Sequence, residues 1–207
     1  MPYHSGRPDG ARGAGPWEEV SAMPFGSLWI PVLASAVAVF VASSLLHMVL
    51  KYHQADHRGI PAEDAVREAL GRADLAPGVY MTPHCTHQQM KDPAMLAKFE
   101  KGPVAILTAL PKGMPNMGKH LGLWFGLCFL VSFTAAYVAR HTLQPGASGM
   151  LVMQITGTVA FAGYNYGQIS DTIWKGQPWS NTLRHLLDGA IYAVITGILF
   201  KALWPAA

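Results

Sequence analysis

Apolar and polar positions divide this chain into long blocks rather than the short alternations of half-buried elements. Residues 25–50, 121–139, 150–169 and 183–204 are runs with few charges. Each is close to the roughly 20 apolar residues that a helix needs to cross a bilayer. The pattern predicts an all-α membrane protein, a bundle of four transmembrane helices. Charges crowd between the runs, above all in residues 51–119, a stretch too long for a plain loop. Within it, Pro61 followed by Ala62-Glu63-Asp64-Ala65-Val66-Arg67-Glu68-Ala69-Leu70 reads as a short helix stopped by Gly71, and Asp92, Pro93 and Gly102 bracket a second. Gly78-Val79-Tyr80-Met81 and Val104-Ala105-Ile106-Leu107-Thr108 read as two short strands able to pair. The chain thus divides into a tail (1–24), a first span (25–50), a small α/β insertion (51–119) between the first and second spans, and a segment (120–204) holding the other three.

Composition agrees with that division. The 207 residues are 51% apolar and 13% charged, against about 25% charged in soluble domains. Residues 1–22 are rich in Gly, Pro and Arg and lack apolar periodicity, which predicts a disordered tail and makes Met23 an alternative start. Ala34-Ser35-Ala36 has the look of a signal cleavage site but lies inside an apolar run that continues well past it, so the first run is read as an uncleaved helix. Small residues recur at four-residue spacing in every span: Ala34/Ala38/Ala42, Gly118/Gly122/Gly126, Gly163/Gly167 and Gly189/Ala193/Gly197. Such ridges let helices approach closely.

Charge orients the bundle. Lys51, Arg58, Arg67, Arg72, Lys91, Lys98, Lys101, Lys112, Lys119, Lys175 and Arg184 fall on the side of the insertion, against Arg7, Arg12, Arg140 and Lys201 on the other. The positive-inside rule then places the insertion in the cytoplasm and both termini outside it. Because seven acids share residues 51–119, the net charge of +3 reflects topology and gives no footprint for nucleic acid.

Two spans carry polar side chains. Gln154, Thr158, Asn165 and Gln168 fall within about 80° of one another on a helical wheel. In the last span Arg184, Asp188 and Tyr192 follow one another at four-residue intervals. A carboxylate inside a span must face protein or water, and Arg184 is the expected partner of Asp188. With Asn165 and Gln168, Asp188 is also a candidate proton or cation site.

Nine histidines invite a search for metal ligands. His47, His53 and His57 form one candidate group, since His53 and His57 are a helical turn apart. Gln54 stands where a zinc protease of the His-Glu motif needs its Glu base, so proteolysis is disfavoured. His84, Cys85 and His87, with Met81 and Met90 nearby, form the second group, a donor set suited to copper or zinc. Haem is the third candidate cofactor, although Cys-x-x-Cys-His is absent.

Several segments resemble a group of bacterial proteins described only as predicted transmembrane proteins: Val41-Ala42-Ser43-Ser44-Leu45-Leu46-His47-Met48, Lys101-Gly102-Pro103-Val104, Pro115-Asn116-Met117-Gly118-Lys119, and Trp174-Lys175-Gly176-Gln177-Pro178-Trp179-Ser180 leading into Leu187-Asp188-Gly189-Ala190-Ile191-Tyr192. The resemblance covers most of the chain from Met23 onward. It implies four spans in a bacterial inner membrane and carries no activity or catalytic residue. With no convergent catalytic set in view, the expected function is an accessory, assembly or structural component of a membrane complex, its partners being lipid and either other membrane subunits or further copies of the chain. The alternatives are a metal- or haem-handling protein using the His, Cys and Met clusters, and a small ion or proton carrier using Asp188.

Overall fold

The computed structural model describes residues 23–206; most of the expected tail and the Met1 start therefore lie outside the described residues. The chain is mostly helical. A 3-10 turn, Phe25–Leu28, leads into α1 (Trp29–Met48), and a second 3-10 turn, Lys51–Ala55, follows it. The insertion then contributes α2 (Glu63–Arg72), β1 (Gly78–Thr82), a 3-10 turn (His87–Lys91), α3 (Pro93–Lys101) and β2 (Ala105–Ala109). Three long helices complete the chain: α4 (Met117–Thr142), α5 (Gly149–Lys175) and α6 (Trp179–Leu203).

Local chemistry accounts for the ends of these elements. Pro31 sits in the first turn of α1, where no intrahelical N–H is needed. Asp92 accepts a hydrogen bond from the Ala94 amide at 3.0 Å to start α3, and Gly102, at φ 61°, ends it. Asn116 caps α4 by accepting from the Lys119 amide at 3.0 Å. Gly176 takes the left-handed conformation that closes α5. In α2 the helix runs through Gly71 to Arg72, one residue past the expected stop. The two strands pair antiparallel, Gly78 opposite Ala109 and Thr82 opposite Ala105.

Among the described residues three helical segments, Phe25–Met48, Met117–Thr142 and Trp179–Leu203, are long and apolar enough to cross a membrane. The fourth long helix, α5, is 27 residues long and packs against α4 and α6, while α1 packs against α4 and α6. Leu28, Val32, Ala135, Ala136, Ala139, Val152 and Phe200 fill the end of the bundle remote from the insertion. Ala36, Val39, Cys128 and Tyr192 continue the core toward the insertion.

The small-residue ridges are not equivalent. In α6 the ridge is a true seam: a methyl added at Gly197 would come within 3.0 Å of the Met153 carbonyl oxygen, and one added at Gly189 would run into the Asn165 amide. Gly122 and Gly126 of α4 have open space beside them. In α1 the buried stripe is Val32, Ser35, Ala36, Val39 and Ser43, rotated away from Ala34/Ala38/Ala42. Of the polar stripe on α5 only Asn165 is buried; Gln154, Thr158 and Gln168 are exposed.

Candidate metal centre

The last turn of α1, the 3-10 turn Lys51–Ala55 and the first turns of α6 meet at the insertion end of the bundle. The short turn reverses the chain after Met48, and its side chains Tyr52 and His53 reach Asp188 on α6. Asp188 is almost wholly buried, 2% exposed. Its Oδ2 lies 2.8 Å from His53 Nε2 and 3.9 Å from His47 Nε2, while the Tyr52 hydroxyl donates to Oδ1.

Asp188 is therefore not paired with Arg184, as their spacing on α6 suggests. The guanidinium reaches across to Asp56 instead, with Nε and Nη2 each 2.7 Å from Oδ1, and donates to Asn181 Oδ1 at 2.7 Å. The reason is the backward fold of the 51–55 turn, which carries a second, better-placed carboxylate to Arg184 and fills the space beside Asp188 with Tyr52 and His53. Asn181 Nδ2 donates to the Asp56 carbonyl at 3.1 Å and fastens the turn to α6.

His53 is held between two carboxylates, with Nδ1 2.6 Å from Asp56 Oδ2 and Nε2 2.8 Å from Asp188. His47 donates from Nδ1 to the Ser43 carbonyl at 2.9 Å, which turns Nε2 toward Asp188. The His47 and His53 rings stack with centroids 4.3 Å apart, and the His185 ring lies 5.2 Å from that of His53. Among the described residues, one group of three or more His, Cys, Asp or Glu side chains brings its ligand atoms together: His47, His53, His185 and Asp188, all within 4.8 Å of one another.

The arrangement fits a metal ion in three respects. Ligand atoms at about 2.0–2.2 Å in a tetrahedral zinc site stand about 3.3–3.6 Å apart, and the 2.8 and 3.9 Å separations around Asp188 bracket that spacing. Two of the three imidazoles already direct Nδ1 to a carboxylate or carbonyl, the outer hydrogen bond that presents Nε2 to a metal. Finally, Arg184 pairs with Asp56, so the buried Asp188 carboxylate has imidazoles and the Tyr52 hydroxyl as partners and no guanidinium of its own, a place that a cation can fill.

Among the described residues outside the bundle, Asp56 and Tyr52 have shifted proton affinities. Burial acts to raise the Asp56 pKa but is outweighed by the hydrogen bonds from His53 and Arg184 and by the Arg184 charge, so the carboxyl lies below its ordinary range. Burial, then the hydrogen bond to Asp188 and the charges of both carboxylates, push the Tyr52 phenol far above its usual value. Because folding lowers the Asp56 pKa, its carboxylate contributes stability that is fully present above the ordinary value of 3.8 and is lost as the pH falls through the lower folded value. Asp56→Asn is expected to reduce the melting temperature of the detergent-solubilised protein at neutral pH and to flatten its dependence on pH below the ordinary carboxylate value of 3.8. Parallel acid profiles for the two proteins would remove Asp56 from that response.

The other expected ligands lie elsewhere. His57 is exposed and outside the converging group, because the Lys51–Ala55 turn ends before it and the two histidines never share a helical face. His84 borders a cleft in the insertion with Met95 and Lys98, Cys85 is a half-buried free thiol, and His87 is exposed. Thr86 begins a new turn there, with a capping box to Gln89, and the three side chains do not converge. Gln168 lines a cavity beside the cluster, while Asn165 is buried one turn deeper with both amide atoms unpartnered. His185, Tyr52 and Asp56 escape a motif search. The signal for His185 is its place one turn before Asp188 on the same helix face.

No family model, curated protein or solved structure matches the chain. Its family is open, and the resemblance seen in its sequence assigns no more than a membrane protein with several apolar helices.

Proposed function

We propose that this chain is a multi-pass membrane protein that binds a divalent transition-metal ion through His47, His53, His185 and Asp188. The single observation behind this reading is the convergence of three imidazoles and one carboxylate, contributed by α1, the following turn and α6. Nitrogen and oxygen donors of this kind suit zinc or copper(II) rather than copper(I), which favours thiolate and thioether. Haem is the weaker candidate, since the parallel, stacked His47 and His53 rings are not disposed on opposite faces of one porphyrin. The convergence favours metal handling over the accessory-component reading and gives Asp188 a role as ligand rather than as a carrier of protons.

In the same reading α5 is the fourth span, joined to its neighbours by short connections and packed between them, as in an up-and-down bundle. The insertion, residues 51–119, lies in the cytoplasm of a bacterial cell, on the side richer in Lys and Arg.

Protein stripped with a chelator and dialysed against zinc is expected to retain about one equivalent per chain by elemental analysis, as a four-ligand site requires. The triple variant His84→Ala, Cys85→Ala, His87→Ala is expected to retain the same amount. Failure of the parent protein to hold zinc, or loss of the metal in that variant, would overturn the assignment.

A further inference from the structure

A cavity of about 720 Å³ opens beside the cluster, within the range of small-molecule sites. All four long helices contribute to it. His47, His185 and Asp188 stand at its polar end, while Leu121, Trp124 and Leu127 are among its apolar walls. Met48, Met117 and Leu121 at its border are themselves exposed on the apolar surface of the bundle, so an acyl chain has an apolar route along the wall. Deeper in, Tyr164 and Tyr192 line the cavity, their buried hydroxyls beside the Cys128 thiol and the Ser43 hydroxyl respectively. Tyr192 is 3% exposed.

Charge decides which head group suits the polar end. Among the described residues no Arg or Lys lines the cavity, whereas the buried Asp188 carboxylate does, so without a metal nothing there attracts an anion. A divalent cation held by His47, His53, His185 and Asp188 would place positive charge at the polar end, where it would attract an anionic oxygen head. We infer that the cavity binds an apolar chain carrying an anionic oxygen head, and that it does so only when the metal is present. This inference rests on the metal reading and names its ligand class.

The test uses full-length protein in nanodiscs of zwitterionic lipid, with zinc content measured on the same sample. Palmitate brominated along its chain serves as the probe, and quenching of tryptophan fluorescence, compared with Trp124→Phe, reports entry. Palmitate is expected to bind at least about tenfold more tightly with zinc than without, the scale set by adding a divalent charge beside the head group. Hexadecanol is expected to show no such dependence. Leu121→Trp, which narrows the cavity without touching the metal ligands, is expected to weaken palmitate binding with zinc content unchanged. Phosphatidate added to the nanodisc distinguishes sources: competition by it points to a phospholipid occupant, and its absence to a free fatty acid, either being an anionic head on an apolar chain. Equal palmitate binding with and without zinc, or no binding by zinc-loaded protein, overturns the inference while leaving the metal site standing. A protein that holds no zinc overturns the metal reading itself.

Discussion

Replacing His53 by Ala is expected to weaken zinc binding by at least about a hundredfold, beyond the 10–100-fold that loss of an outer hydrogen-bond partner costs. His53 is the hinge of the whole arrangement. It supplies a ligand atom 2.8 Å from Asp188, and its other nitrogen is fixed by Asp56 at 2.6 Å. Asp56→Asn retains every ligand but removes the charge that orients the ring, so its loss should fall within that outer-partner range. His57→Ala should leave affinity unchanged, because His57 lies outside the cluster. Competition against a chromophoric chelator, on protein whose elution from a sizing column is unaltered, measures all three. An affinity for His53→Ala equal to that of the parent would exclude His53 as a ligand.

The largest effect on the fold is expected at Gly189. Its Cα faces the fully buried side chain of Asn165, and a methyl group there would overlap that amide. Asn165 is short and fully buried, so its amide must turn aside or the two helices must separate. Overpacking of this kind costs about 1–3 kcal/mol, and Gly189→Ala belongs at or above the upper end. Gly167→Ala is the control: its added carbon meets nothing within 4 Å, and a helical Gly to Ala change there should be neutral or stabilising. Thermal unfolding in detergent reads both, and the double variant Asn165→Ala, Gly189→Ala should recover part of the loss. A Gly189→Ala protein as stable as the parent would show that α5 and α6 are not locked at this point.

Much of the architecture is legible as written, because membrane spans and helix ends depend on local chemistry. Asp92, Pro93 and Gly102 mark α3 to the residue, and the two short β-rich runs meet as one antiparallel pair. The site is harder to read. Helical spacing pairs Arg184 with Asp188, and only the backward fold of the turn after α1 shows that each has a partner more than a hundred positions away. The same fold keeps His47 and His53 of the His47, His53 and His57 group and adds His185, which belongs to neither histidine-rich segment. The stripe on α5 illustrates a different limit: angular position places four polar residues on one face, yet neighbouring helices cover only the level occupied by Asn165.

The bond between His53 and Asp188 spans 135 positions of sequence. A chain threaded into the bilayer from its amino end therefore carries His47 and His53 long before the residues that complete their pocket exist. Only arrival of the last helix brings Asp188 and His185 into reach. Under the metal reading proposed above, capture of the ion distinguishes finished molecules from truncated ones and acts as a seal on assembly, set when the final segment is in place.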